Sequence, residues 1–200
     1  MVLLRLQGCA VGCPWCDTKE TWAMDELQRV ITIEAALGAD GRYTVQSAET
    51  VATYIQQQYP AFGWVLVTGG EPAQQPLASL VDALHRTGYR CALETSGTAL
   101  GHVDVAFDWI CVSPKFDMPG RKKVLPAAAQ PADEIKLVVG RQRDIDRLDE
   151  FLLNCSLKER VQVCVQPVSQ NPKATQLCIQ TAMQRGWRLS VQMHKYLALP

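Results

Sequence analysis

Seven short apolar runs recur along this chain, at Val2–Leu6, Trp64–Val67, Arg90–Glu94, Trp109–Val112, Glu134–Val139, Val161–Gln166 and Arg188–Gln192. Several are continuous rather than alternating, the pattern of strands buried on both faces. Between them, apolar residues return every three or four positions. Ser47 can cap a helix whose Val51, Tyr54 and Ile55 share one face. Pro76 suits the start of a second, with Leu77, Leu80, Val81 and Leu84 inward and Gly88 at its end. A third is expected over 144–154, burying Ile145, Leu148, Phe151 and Leu152. A fourth is expected over 173–185, with Leu177, Cys178 and Met183 as core contacts and Gly186 closing it. The stretch 115–133 is rich in Pro, Ala and Gly and reads as a long loop. Its Arg121-Lys122-Lys123 reads as a solvated charge run.

Alternating β and α units imply a parallel sheet. Seven strands fall short of the eight units of a closed barrel. The expected fold is therefore α/β: a partial β/α barrel with mostly parallel strands, forming a single domain over 1–200. Ligands in such folds gather at the C-terminal ends of the strands. Polar segments stand where that rule wants them. "TGGEP" (68–72), "TSG" (95–97), "SPK" (113–115) and "QPVSQ" (166–170) each follow a strand, and a cysteine-rich loop follows the first.

Composition narrows the function. The chain is 48% hydrophobic, and its 20 Lys+Arg balance 20 Asp+Glu. A neutral chain argues against broad nucleic-acid or membrane binding, while a small charged substrate remains compatible. No apolar run approaches the roughly 20 residues of a membrane span. "MVLLRLQGCA" is broken by Arg5 and Gln7 and makes a poor signal peptide. The expected location is the reducing cytoplasm. Five of the eight cysteines, Cys91, Cys111, Cys155, Cys164 and Cys178, are scattered and read as small buried hydrophobes.

The other three, Cys9, Cys13 and Cys16, form C-x3-C-x2-C within "GCAVGCPWCDT". Thiolates select soft or borderline metals. A structural zinc wants four protein ligands, and His85, His102 and His194 are all distant in sequence. A zinc-stabilised binding protein would have to borrow one of them. A four-iron, four-sulfur cube also has four corners. Three cysteines would leave one corner open to a small molecule.

The cysteine spacing, joined to "VTGGEP", resembles the radical S-adenosylmethionine (SAM) superfamily. More of the chain resembles one family within it, the 7-carboxy-7-deazaguanine synthases. "RLQGCAVGCPWCDTKETW", "VTGGEP", "ETSGT", "VSPK", "DEIKLVVGR" and "RLSVQMHKYL" carry that resemblance, in order, over residues 5–197. It implies a lyase of queuosine biosynthesis, a tRNA modification pathway, built as a partial radical-SAM-type β/α barrel. The family converts 6-carboxy-5,6,7,8-tetrahydropterin to 7-carboxy-7-deazaguanine with loss of ammonia. A [4Fe-4S] cluster, SAM and Mg2+ are the implied cofactors. A flavodoxin-like electron donor and a homodimer are the implied partners.

The same resemblance implies residue roles. Cys9, Cys13 and Cys16 would hold the cluster. Trp15, Gly70, Glu71, Ser96, Ser113, Pro114, Lys115 and Gln166 would meet SAM, with the Gly-Gly turn letting backbone approach the ligand and Glu71 facing its amino end. Thr18 would bind Mg2+. Arg5, Thr68 and the carboxylate of Pro200 would meet the pterin. Glu94 reads either as a ligand contact or as a structural carboxylate, and His194 as packing. Family members are expected to carry a further pterin-binding segment before the first strand, whereas Met1 here starts directly on it. A SAM-binding homologue without full activity is therefore one alternative. A glycyl-radical-enzyme activating protein, which shares the cysteine spacing, is another.

Overall fold

A computed structural model of the chain describes residues 1–38 and 40–197. Its elements run β1 (Val2–Leu6), α1 (Ala48–Gln58), β2 (Trp64–Gly69), α2 (Ala78–Arg86), β3 (Arg90–Thr95), β4 (Trp109–Val112), α3 (Pro126–Ala129), β5 (Glu134–Val139), α4 (Gln142–Leu153), β6 (Gln162–Pro167), α5 (Pro172–Arg185), β7 (Arg188–Leu189) and α6 (Met193–Tyr196). The strands form one sheet in chain order, every neighbouring pair parallel. Because the order never reverses, there is no switch point between two halves. Parallel crossovers are right-handed, so a sheet of this order carries its helices on one face. The other face becomes the inner wall of an open, partial barrel.

That asymmetry is written into each strand. Val65, Val67, Cys91, Leu93, Ile110, Val112, Ile135, Leu137, Val139 and Val165 pack outward into one core. Ile55 of α1, Leu84 of α2, Leu148 of α4 and Cys178 of α5 close over them. Burial of each large aliphatic side chain stabilises the fold by about 1.5–3 kcal/mol. The alternate residues point inward and are mixed. They include Arg5, Thr68, Glu94, Lys136 and Gln166, most of them half-buried. β5 shows the rule most clearly: Ile135, Leu137 and Val139 are buried while Glu134, Lys136 and Val138 are intermediate. Strands that read as buried on both faces are thus dry on one face and polar on the other. An incomplete barrel leaves its interior open to ligand and water.

Element ends differ from the sequence pattern for local reasons. α2 starts at Ala78 rather than Pro76, with buried Leu77 at its N-cap. α4 starts earlier, at Gln142, because the Asp144 carboxylate accepts the N–H groups of Gly140 (2.8 Å) and Arg141 (3.0 Å). The 115–133 loop contains a short helix, α3, whose Ala128 and Ala129 are fully buried. Met183 is not a core contact but 80% exposed. α5 buries Ala174, Cys178 and Thr181, a face spaced four and three residues apart from which Met183 points away. β6 begins at Gln162, and β7 is only two residues long.

Leu148→Ala should cost about 2–5 kcal/mol of unfolding free energy, as a buried leucine truncation. Met183→Gln should stay within about 0.5 kcal/mol. Denaturant midpoints check Leu148 as a core residue of α4 and Met183 as lying off the buried face of α5.

Candidate functional site

The loop after β1 is fixed at both ends before any ligand enters. Gln7 donates from its side-chain amide to the carbonyls of Glu20 (2.9 Å) and Ala23 (2.6 Å), and its own carbonyl accepts from Gln75 Nε2 (2.8 Å). Gly8 N–H reaches Thr21 O (2.8 Å) and Cys9 N–H reaches Trp22 O (3.0 Å). Val11, 1% exposed, anchors the loop's middle, and Gly120 N–H donates to its carbonyl at 3.0 Å. Cys16 N–H closes back on Cys13 O (3.0 Å), and Trp22 Nε1 donates to Cys16 Sγ at 3.4 Å.

The donor set fits an iron–sulfur cube better than one ion. Cys9, Cys13 and Cys16 are free thiols. Among the described residues, only His85, Cys91 and Asp108 bring three metal-ligating atoms within 4.8 Å of one another. The three loop sulfurs are more widely spread, whereas thiolates on a single zinc sit about 3.8 Å apart. Burial pushes the Cys13 thiol up to about 11 against the opposing pull of Lys115, and burial raises Cys9 as well. Metal loading therefore releases protons. Trp15, between two of the cysteines, keeps a buried Nε1 with no partner, a donor available to a bound group.

The "TGGEP" turn lies directly on this loop. Gly70 N–H donates to Leu6 O (2.7 Å) and Glu71 N–H to Gly8 O (2.8 Å). A Cβ at Gly70 would fall 2.1 Å from Gly8 O. One at Gly69, where φ is +110°, would fall 2.4 Å from Leu6 N. Both glycines are required by the approach of two backbones, independently of any ligand. Glu71 is 1% exposed. Its Oε1 accepts from Ala73 N–H (3.0 Å) and from the Thr95 hydroxyl, and its Oε2 accepts from Ser96 N–H (2.7 Å). The carboxylate thus joins the loop after β2 to the loop after β3.

The remaining loops complete the mouth. Ser96 pairs its hydroxyl with that of Thr98 (2.8 Å). Ser113, 2% exposed, donates its N–H to Thr95 O (2.7 Å). Lys115 Nζ turns back to Ser113 O at 2.8 Å. Burial lowers the pKa of that ammonium, outweighing the nearby Glu94 carboxylate and Cys13 thiol. Gln166 Oε1 accepts from Ser190 Oγ (3.4 Å). Arg5 is exposed and stands opposite Thr68 across β1 and β2. The Thr18 hydroxyl lies 3.7 Å from Cys16 Sγ. Pro200 lies outside the described residues.

A cavity of about 450 Å³ opens beside the cysteine loop, lined by Trp15, Pro114, Phe116, Val138 and Val168. A larger groove of about 560 Å³ runs between Ile31–Glu34 and α1. It gathers none of the loops at the strand ends, so the smaller cavity is the candidate ligand site.

Two features escape sequence reading. Lys136 on β5 pairs with Glu94 on β3 at 2.8 Å, two strands apart. Its only signal is the polar position inside an apolar run. Asp17, next to Cys16, accepts from Gln192 Nε2 (2.6 Å) and Lys195 Nζ (2.8 Å), tying the "VQMHKYL" end to the cysteine loop. A separation of 178 residues hides that pair from any local pattern.

No family model matches the chain. It is 42% identical over 198 residues to the 7-carboxy-7-deazaguanine synthase of Escherichia coli (strain K12), spanning 98% of this chain and 88% of that one. It is 32% identical over 200 residues to the 7-carboxy-7-deazaguanine synthase of Buchnera aphidicola subsp. Schizaphis graminum, spanning 99% and 89%. The crystal structure of QueE from Escherichia coli superposes with a TM-score of 0.86 at 41% identity, over 95% of this chain and 84% of that one.

Two substitutions test the backbone contact and the carboxylate tie. Gly70→Ala should destabilise the protein by about 1–3 kcal/mol or more through overpacking against Gly8. Glu71→Gln should cost about 1–3 kcal/mol, because an amide NH2 must then face one of the donors. Denaturant unfolding of the metal-free protein reads both.

Proposed function

This chain belongs to the 7-carboxy-7-deazaguanine synthase family, and from that premise we propose which of its residues carry the reaction. The enzyme is a lyase that converts 6-carboxy-5,6,7,8-tetrahydropterin to 7-carboxy-7-deazaguanine with loss of ammonia, in queuosine biosynthesis. The observation that carries the residue assignment is convergence. The cysteine loop, the GGEP turn, Ser96, the Ser113–Lys115 segment and Gln166 all stand at the C-terminal ends of parallel strands of one sheet, β1, β2, β3, β4 and β6 in turn.

Cys9, Cys13 and Cys16 hold the [4Fe-4S] cluster. When bound, the cluster and SAM together supply one-electron cleavage of SAM and hydrogen abstraction from the substrate. The protein's part is positioning and exclusion of water. Backbone groups of Gly70 and Glu71 meet the SAM amino end, while the Glu71 side chain holds the turn in place. Trp15 and Pro114 wall the apolar side of the cavity. Ser96, Ser113, Lys115 and Gln166 supply polar contacts to SAM.

Arg5 offers a planar fork to the pterin carboxylate, beside a hydrogen-bonding Thr68. Thr18 offers a hard oxygen to Mg2+, with waters and the substrate completing the shell; neighbouring Asp17 is already held by Lys195 and Gln192. The Pro200 carboxylate is assigned to the pterin as well. We assign the protein to the cytoplasm, as a single-domain homodimer served by a flavodoxin-like donor and without direct nucleic-acid contact. Among the described residues no helix is long and apolar enough to cross a membrane.

The test is anaerobic reconstitution with iron and sulfide, reduction, and addition of SAM, Mg2+ and 6-carboxytetrahydropterin. Formation of 7-carboxy-7-deazaguanine is expected; its absence from a protein with an intact cluster overturns the assignment. Cys9→Ala, Cys13→Ala and Cys16→Ala should each abolish the iron–sulfur absorption, whereas Cys155→Ala should retain it. A full four-iron complement and SAM cleavage in Cys13→Ala would show that the ligand set is wrong.

A further inference from the structure

The inner wall carries one ion pair with no role in the assignment above. Lys136 and Glu94 stand on β5 and β3, with β4 between them. At the usual spacing their backbones are about 10 Å apart. The lysine therefore extends past Cys111, the inner residue of β4 that pairs in register with Glu94. A cysteine is small enough to let the two side chains meet at 2.8 Å. Burial raises Glu94, but the Lys136 charge outweighs it and holds the carboxyl below its ordinary range. Burial likewise lowers Lys136, and Glu94 more than reverses the effect. The pair is ionised.

Glu94 also feels Lys115 and Arg5. Three cations therefore surround one carboxylate near the mouth, and only Lys136 is in contact with it. Lys115 is turned onto Ser113. Among the described residues, Arg5 has no acidic partner within 4.0 Å. A buried charge takes whatever counter-charge it can reach. Without Lys136, Glu94 would be free to draw on Arg5 or Lys115.

Resting on the reading that SAM and the carboxypterin share this mouth, we propose that Lys136 is a positioning residue for ligand binding. By holding Oε1 of Glu94 it keeps that carboxylate off Arg5 and Lys115. Those two cations are then left for the two ligand carboxylates, one on SAM and one on the pterin. The same contact engages Oε1 and leaves Oε2 of Glu94 outside the ion pair.

A double-mutant cycle in the reconstituted enzyme tests this, read by the dissociation constant of SAM and by the KM for the pterin at saturating SAM. Lys136→Met should weaken one of these by roughly tenfold. The two readouts show which carboxylate depends on the pair. In a Glu94→Gln background, the same Lys136→Met change should cost less than about threefold, because no carboxylate remains to compete. The double variant also removes the unpaired buried charge that could unfold the single one. Lys136→Arg should restore most of the loss. An equal loss in both backgrounds would mean that Lys136 touches the ligand directly, and no loss in either would mean that the pair is inert; each overturns the proposal. A wild-type protein that binds no SAM would remove the functional reading as well, a result visible before any substitution is made.

Discussion

The backbone contact between the GGEP turn and the segment after β1 is the one on which the rest is arranged. Gly70 N–H donates to Leu6 O, and Gly70 leaves no room for a side chain against Gly8 O. Two strand-end loops, one carrying the cysteines and one carrying the GGEP turn, are thereby fixed against each other. Glu71 extends the same constraint to the third strand by accepting from Ser96 N–H and the Thr95 hydroxyl. Thr95 O then accepts from Ser113 N–H, which carries the chain of contacts to the fourth. The mouth is rigid because buried polar groups are satisfied by neighbouring strand ends, which is also what allows such groups to be buried.

The second organising element is the division of labour between the two faces of the sheet. One face is dry and aliphatic and binds the helices. The other carries charge, and its charges are arranged rather than scattered. Glu94 is engaged by Lys136 within the wall, while Arg5 stands at the edge strand and Lys115 at a strand end.

Much of this was legible in the sequence. The strands and the four longer helices follow from apolar periodicity, because a side chain's face is set by its spacing along the element, while the short helices α3 and α6 did not show in it. The three cysteines and their open corner follow from a count. The registers of Met183 and of the α2 and α4 starts did not follow, since each depends on what packs nearby or caps the helix. Gly69 and Gly70 were visible as glycines, but not the backbones of Leu6 and Gly8 that leave no room for a side chain there.

What the sequence determined by itself was composition, order and local chemistry: a parallel α/β chain with three thiols in one loop and polar segments after its strands. Only the tertiary structure decided which of those groups meet. Lys136 and Glu94 are 42 residues apart in the numbering of their contact, and Asp17 and Lys195 are 178 apart. Such pairs arise where strands are laid side by side and the chain end folds back. Periodicity places a residue on a face, but a charge needs a partner in space, and only the assembled sheet supplies it.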